Sequence, residues 1–185
     1  NETNAVDIAP TPVVGIIGMH PKLLNQPPGM TLCPDLMLVL VGQQPKEDVS
    51  MAGSRWAWEI GGCKDGTLPE FDLVQTVRTA AFVTEIVQRN RVEAVHDVGE
   101  GGLAVALAEM AVHSQVGLHL SGFDGHRALF NESGGRVIVA LSRADLESFL
   151  KESSNRGVPA QTIGSTGGSS LVLGSTIELS IVELT

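Results

Sequence analysis

The chain has no tyrosine, and aromatic residues make up only 4% of its 185 positions. That disfavours a platform on which successive bases stack. Basic residues are scarce as well: 12 Lys and Arg stand against 21 Asp and Glu, a formal charge of −9. The clustered cations that neutralise a nucleic-acid backbone are therefore missing. Small phosphate esters stay possible, because backbone N–H groups at a helix start bind them without basic side chains. The two cysteines, Cys33 and Cys63, have the spacing of neither a metal site nor a disulfide framework and read as buried or idle thiols. No apolar run approaches the ~18 residues of a membrane span, and nothing looks like a secretory signal. No Ser-His-Asp or Cys-His arrangement assembles from local context, so no nucleophile is visible. These absences point to a cytoplasmic protein with no nucleic-acid and no membrane partner.

What is present is a hydrophobic fraction of 43%, enough for a globular core in one domain with an attached segment. The chain opens at Asn1, without methionine and in mid-pattern, and reads as a piece of something longer. Residues 1–18 end in the apolar run Val13 to Ile17 and look like the last element of a preceding domain. Residues 19–34 have the His-Pro and Pro-Pro-Gly composition of a linker, which leaves 35–185 as the main domain.

Within that domain, Leu36 to Val41 is a continuous apolar run of strand length, and Arg55 to Ile60 alternates like a second strand with Trp56 and Trp58 on one side. Asp72 and Gln75 have capping-box spacing ahead of a helix over 73–90, in which Leu73, Val77, Ala80, Ala81 and Val87 recur at helical spacing. Further strands are expected at 92–95, 116–120 and 136–141, with an apolar helix over 102–113 and a long loop over 122–133. Ser142 is placed to cap a helix over 143–155, and the tail reads as strands near 159–163, 170–173 and 176–183. Strands and helices in irregular order predict an α+β fold with a mixed sheet.

The most informative stretch is Val95-His96-Asp97-Val98-Gly99-Glu100-Gly101-Gly102-Leu103. It joins a hydrogen-bonding pair to a glycine loop that opens onto the apolar helix, a place for an anion and most simply a phosphate. His96 beside Asp97 suits a ligand site, since a neighbouring carboxylate favours the charged imidazole. The competing reading is a tight strand-to-helix turn in which the glycines serve packing and Asp97 caps the helix. Asn131-Glu132-Ser133 fits either a cleft loop or a turn into the next strand. Glu109 and His113 have metal-ligand spacing on one helix face, but without a third ligand a simple polar stripe accounts for them.

His96 to Leu103, followed by Ala104-Val105-Ala106-Leu107-Ala108-Glu109-Met110, resembles the His-Asp-x-Ser-x-Gly-Gly-Leu signature of the last domain in the phosphoribosylformylglycinamidine synthase family. That family belongs to the aminoimidazole ribonucleotide synthetase-like superfamily. Asn1-Glu2-Thr3 leading to Pro10-Thr11-Pro12-Val13-Val14-Gly15, and Leu129-Phe130-Asn131-Glu132-Ser133 leading to Gly135-Arg136-Val137, match in the same order. Gly99 departs from the pattern, since the family usually carries serine there.

The resemblance implies a C-terminal-type α/β domain of an ATP- and Mg2+-dependent enzyme of purine biosynthesis. That enzyme converts formylglycinamide ribonucleotide and glutamine-derived ammonia to the amidine. Catalytic and metal-binding residues are expected in earlier domains, so this fragment should carry none, bind no cofactor alone and be inactive by itself. Implied partners are the preceding domains of the same chain and, in a multi-subunit form, a glutaminase subunit and a small bridging subunit. His96, Asp97, Gly99, Gly101 and Gly102 are the phosphate candidates, with Gly101 and Gly102 offering backbone N–H groups, and Asn1, Glu2, Asn131 and Glu132 are cleft candidates. A sibling synthetase of the superfamily, or a purely structural interface domain, is the alternative.

Overall fold

The computed structural model describes residues 2–3, 6–7, 14–19, 26–46, 48–63 and 66–185. Asn1 and Val13 lie outside the described residues. Strand β1 (Glu2–Thr3) pairs antiparallel with β2 (Val6–Asp7), which places Glu2 opposite Asp7 in a small separate ribbon.

The main sheet has seven strands: β3 (Leu36–Val41), β4 (Ala94–Asp97), β5 (Leu118–Leu120), β6 (Val137–Ser142), β7 (Ala160–Thr166), β8 (Ser170–Leu173) and β9 (Ile177–Ser180). Their spatial order is β4-β6-β3-β7-β5-β8-β9. Every pairing is antiparallel except β5 with β8, which makes the sheet mixed as expected. It follows that β3, β4, β5 and β8 point the same way, and the loops leaving them share one rim of the sheet.

The continuous apolar run of β3 is explained by burial on both faces. Leu36, Leu38 and Leu40 pack with Ile138 and Ala140 under helix α3 (Gly102–Ser114) and the short α4 (His126–Phe130). Val39 and Val41 pack with Val139 and Leu141 under α2 (Leu73–Gln88) and α5 (Leu146–Asn155). Helices thus cover both faces. Across the second layer Phe82 meets Phe149 at 5.6 Å between ring centres.

Local chemistry sets most of the boundaries. Asp72 accepts the Gln75 N–H at 2.9 Å and starts α2, although the buried face of that helix is Thr79, Phe82 and Ile86, while Leu73 and Val77 are exposed. Residues 55–60 are not a strand: Ser54 accepts the Ala57 N–H, and helix α1 (Arg55–Gly61) runs to a left-handed cap at Gly62. Trp56 and Trp58 therefore diverge, and Trp56 stacks on His126 at 4.5 Å. The supposed loop 122–133 contains α4, and the tail strand ends at Ser180, where a capping box with Glu183 starts a 3-10 turn over Ile181–Leu184. Ser142 does not begin α5 directly. Its Oγ accepts the Asp145 N–H at 3.2 Å, and the helix starts at Leu146. Both cysteines lie at the surface rather than in the core.

Candidate functional site

β4 delivers His96 and Asp97 to the loop-bearing rim, and the chain then turns through residues 98–101 into α3. Val98 is buried and donates its N–H to the Arg136 carbonyl at 3.0 Å, which ties the loop to the start of β6. Gly101 is the N-cap, in the left-handed region at φ 80°, and no side chain caps the helix. Asp97 consequently has no capping role, and its side chain stands 80% exposed.

The two N–H groups proposed to meet a phosphate already have partners. Gly101 donates to Glu132 Oε1 at 2.9 Å, and Gly102 donates to the Gly99 carbonyl at 3.1 Å. The same Glu132 oxygen accepts the Arg55 N–H at 2.6 Å, so one carboxylate serves the starts of α3 and α1. A negative charge at a helix start is favourable both as an acceptor for orphan donors and in the field of the helix dipole. Gly102 is held at φ +70°, and a Cβ there would stand 2.7 Å from the Asn131 carbonyl oxygen. No side chain fits at that point.

Asn131 and Glu132 thus meet the glycine loop. Asn131 is fully buried; its Nδ2 donates to the Ser50 carbonyl at 3.2 Å and its Oδ1 accepts the Ser133 N–H at 2.8 Å. Beneath this loop lies Arg136, 2% exposed, which donates from Nη2 to the Asn131 carbonyl at 2.5 Å and from Nε to that of Ser133 at 3.1 Å. Burial pulls its pKa down to about 10, and its Nη1 has no hydrogen-bond partner among the described residues. An Arg fork on the carbonyls that flank Glu132 fixes the loop that presents it.

His96 has a second carboxylate that the sequence did not reveal. Its Nε2 lies 2.8 Å from Glu109 Oε2, while Nδ1 is 3.6 Å from Asp97. His113, four residues beyond Glu109, meets Thr31 Oγ1 instead at 3.0 Å. Among the described residues no three His, Cys, Asp or Glu side chains are grouped so as to hold a metal ion together. Arg55 reaches the glycine loop, where it is shared between Glu59 at 3.0 Å and Glu100 at 3.6 Å. The cleft bounded by Ser54, Arg55, Trp58, Gly99, Glu100 and Glu132 has a volume of about 430 Å3. A phosphate entering it would have to displace Glu132 to reach the Gly101 N–H.

Residues 34–173 match the family described as AIR synthase related protein, C-terminal domain, and the chain belongs to that family. Over its whole length it is 31% identical to phosphoribosylformylglycinamidine synthase subunit PurL of Agrobacterium fabrum, covering 24% of that protein. It is 34% identical to the same subunit of Corynebacterium ammoniagenes, again covering 24%. The chain spans about a quarter of the length of these curated relatives. Among solved structures, Thermotoga maritima PurL complexed with FGAR superposes with a TM-score of 0.69 at 15% identity, over 85% of this chain and 29% of that one. A thiamine-monophosphate kinase from Stenotrophomonas maltophilia superposes at 0.50 with 15% identity, over 80% of this chain and 52% of its own. These likenesses show the mixed-sheet α+β fold.

Proposed function

We propose that the chain is the C-terminal portion of an ATP-dependent enzyme that converts formylglycinamide ribonucleotide to its amidine in purine biosynthesis, with glutamine-derived ammonia as nitrogen donor. The observation that carries this reading is the alignment of the entire chain with PurL subunits at 31–34% identity. ATP use is supported by a neighbour solved as Thermotoga maritima PurL complexed with ATP. In this reading residues 1–18 close a preceding synthetase-type domain, 19–34 link it, and 35–185 form the C-terminal-type domain. Those preceding domains supply the catalytic groups and Mg2+ ligands, the assembly is cytoplasmic, and glutaminase and small bridging subunits are the further partners. A neighbour titled as the PurLQS structure supports such an assembly.

The chain's own contribution is the loop-bearing rim. The glycine loop meets a phosphate of substrate or nucleotide once Glu132 swings off the Gly101 N–H, with His96 and Asp97 steadying the loop. The second reading, a structural junction that binds nothing, is favoured by the closed Glu132 contact and by the packing of Gly102 against the 129–131 backbone. The deciding assay gives the full polypeptide formylglycinamide ribonucleotide, ATP, Mg2+ and either glutamine or ammonia. Substrate-dependent ADP release is expected from the full polypeptide and none from the 185-residue chain. ADP release independent of formylglycinamide ribonucleotide would assign the enzyme to another synthetase of the superfamily.

A further inference from the structure

A second cavity opens on the same rim, between the loop after β3 and the loop after β5, with a volume of about 610 Å3. Its lining includes Gln44, Lys46, Asp124, His126 and Arg127. In a chain of formal charge −9, three basic side chains against a single acid among the described lining residues is a local reversal of sign. That acid is also engaged: Asp124 Oδ1 accepts the Ser175 N–H at 3.2 Å and its hydroxyl at 3.3 Å.

The basic groups are held while keeping donors open. Arg127 donates from Nη1 to the Val49 carbonyl at 2.6 Å, which leaves Nε and Nη2, and no carboxylate pairs with it among the described residues. His126 is fixed by its ring face against Trp56, so its ring nitrogens point elsewhere than into the stack. Lys46 pairs with the exposed Glu70 at 2.9 Å and lies in the field of Asp48, interactions that solvent screens and a ligand can replace. Gln44 adds a different demand. Its Nε2 turns back to the Gly42 carbonyl at 3.5 Å, while its Oε1 is buried with no partner among the described residues. A buried acceptor left unsatisfied is costly and wants a donor.

We propose that this cavity binds a small organic anion that also carries a hydrogen-bond donor. Lys46, His126 and Arg127 take the anion, and Gln44 Oε1, uncovered by a turn of the side chain as the ligand enters, takes the donor. The site is separate from the glycine loop and does not depend on the activity proposed above.

Calorimetric titration of the protein with glycerol 3-phosphate, with malate and with sulfate tests it. The first two distinguish a phosphate ester from a carboxylate, and sulfate is an anion without a donor. Binding of at least one organic anion is expected, weakened about tenfold or more by Lys46→Met and by Arg127→Met, the scale of one charge-assisted hydrogen bond. Gln44→Leu should weaken the organic anion and leave sulfate unchanged. Because Arg127 also holds the Val49 carbonyl, Lys46→Met is the variant that separates charge from folding. The proposal is overturned if the wild-type protein binds neither organic anion, or if Lys46→Met binds as well as wild type. Tighter binding in Glu132→Gln with full binding in Lys46→Met would also overturn it, by moving the anion to the glycine loop, where the Glu132 carboxylate competes with it.

Discussion

Glu132 accepts the Gly101 N–H through the same carboxylate oxygen that takes the Arg55 N–H. Three segments far apart in sequence meet on that atom: the start of α3, the start of α1 and the loop before β6. The oxygen stabilises the fold and occupies the place an anion would need to reach the Gly101 N–H. Stability and ligand access at the rim are therefore linked through one side chain.

Removing it should be felt in both. Glu132→Ala leaves two helix-start donors without their acceptor and should lower unfolding free energy by about 1–3 kcal/mol in urea titration. Glu132→Gln keeps an acceptor and should cost less. Equal stability of all three proteins would show that the contact contributes nothing in solution.

Gly102 and Gly99 should respond unequally to the same added methyl group. At Gly102 a Cβ meets backbone at 2.7 Å in a positive-φ conformation, whereas at Gly99 it meets only the Asp97 carboxylate oxygen at 3.3 Å. Gly102→Ala is expected to destabilise by about 1–3 kcal/mol or more, and Gly99→Ala to stay within about 0.5 kcal/mol. Thermal melts of both variants check this, and a mild Gly102→Ala would mean that the 129–131 backbone yields.

Leu107 is fully buried in the layer between α3 and the sheet. Leu107→Ala should cost about 2–5 kcal/mol through lost burial and the cavity left behind. A change under about 0.5 kcal/mol, typical of surface positions, would be incompatible with the packing described.

The pair between α2 and the end of α5 gives a pH signature. Hydrogen bonding from Arg156 holds the Glu85 carboxyl below its ordinary value of 4.5. A carboxyl depressed in the folded state contributes stability that is fully present above the unfolded value and is lost as pH falls through the folded one. The stability difference between wild type and Glu85→Gln should hold steady from neutral pH down to about 5 and then shrink on acidification. A difference that grows below pH 4.5 would reverse the sign of the linkage.

The sequence disclosed what depends on near neighbours. The apolar run of β3, the Asp72 cap, the glycine loop and the apolar α3 are each written within a few residues. Residues 55–60 misled because their alternation outweighed the Ser54 cap and the Gly61-Gly62 stop, which are the signals that fit a short helix. α4 has no capping side chain and is held by Trp56 and by the Arg127 bond to Val49, contacts that no local pattern encodes. The partners of His96 and Glu132 were hidden for the same reason, since Glu109 and Gly101 lie 13 and 31 residues away. Arg136 could have been flagged, because an arginine between a polar turn and an apolar strand must find acceptors close by.

The place of β3 bears on how the chain is made. Its neighbours are β6 and β7, so its hydrogen-bonding edges wait for residues 137–142 and 160–166. Throughout translation of the intervening hundred or so residues, the nascent chain carries six consecutive apolar residues with both edges open. That is the kind of segment that seeks a partner on another polypeptide. The demand for assistance at the ribosome should accordingly fall on this strand, and the release of bound chaperone should coincide with the emergence of β7.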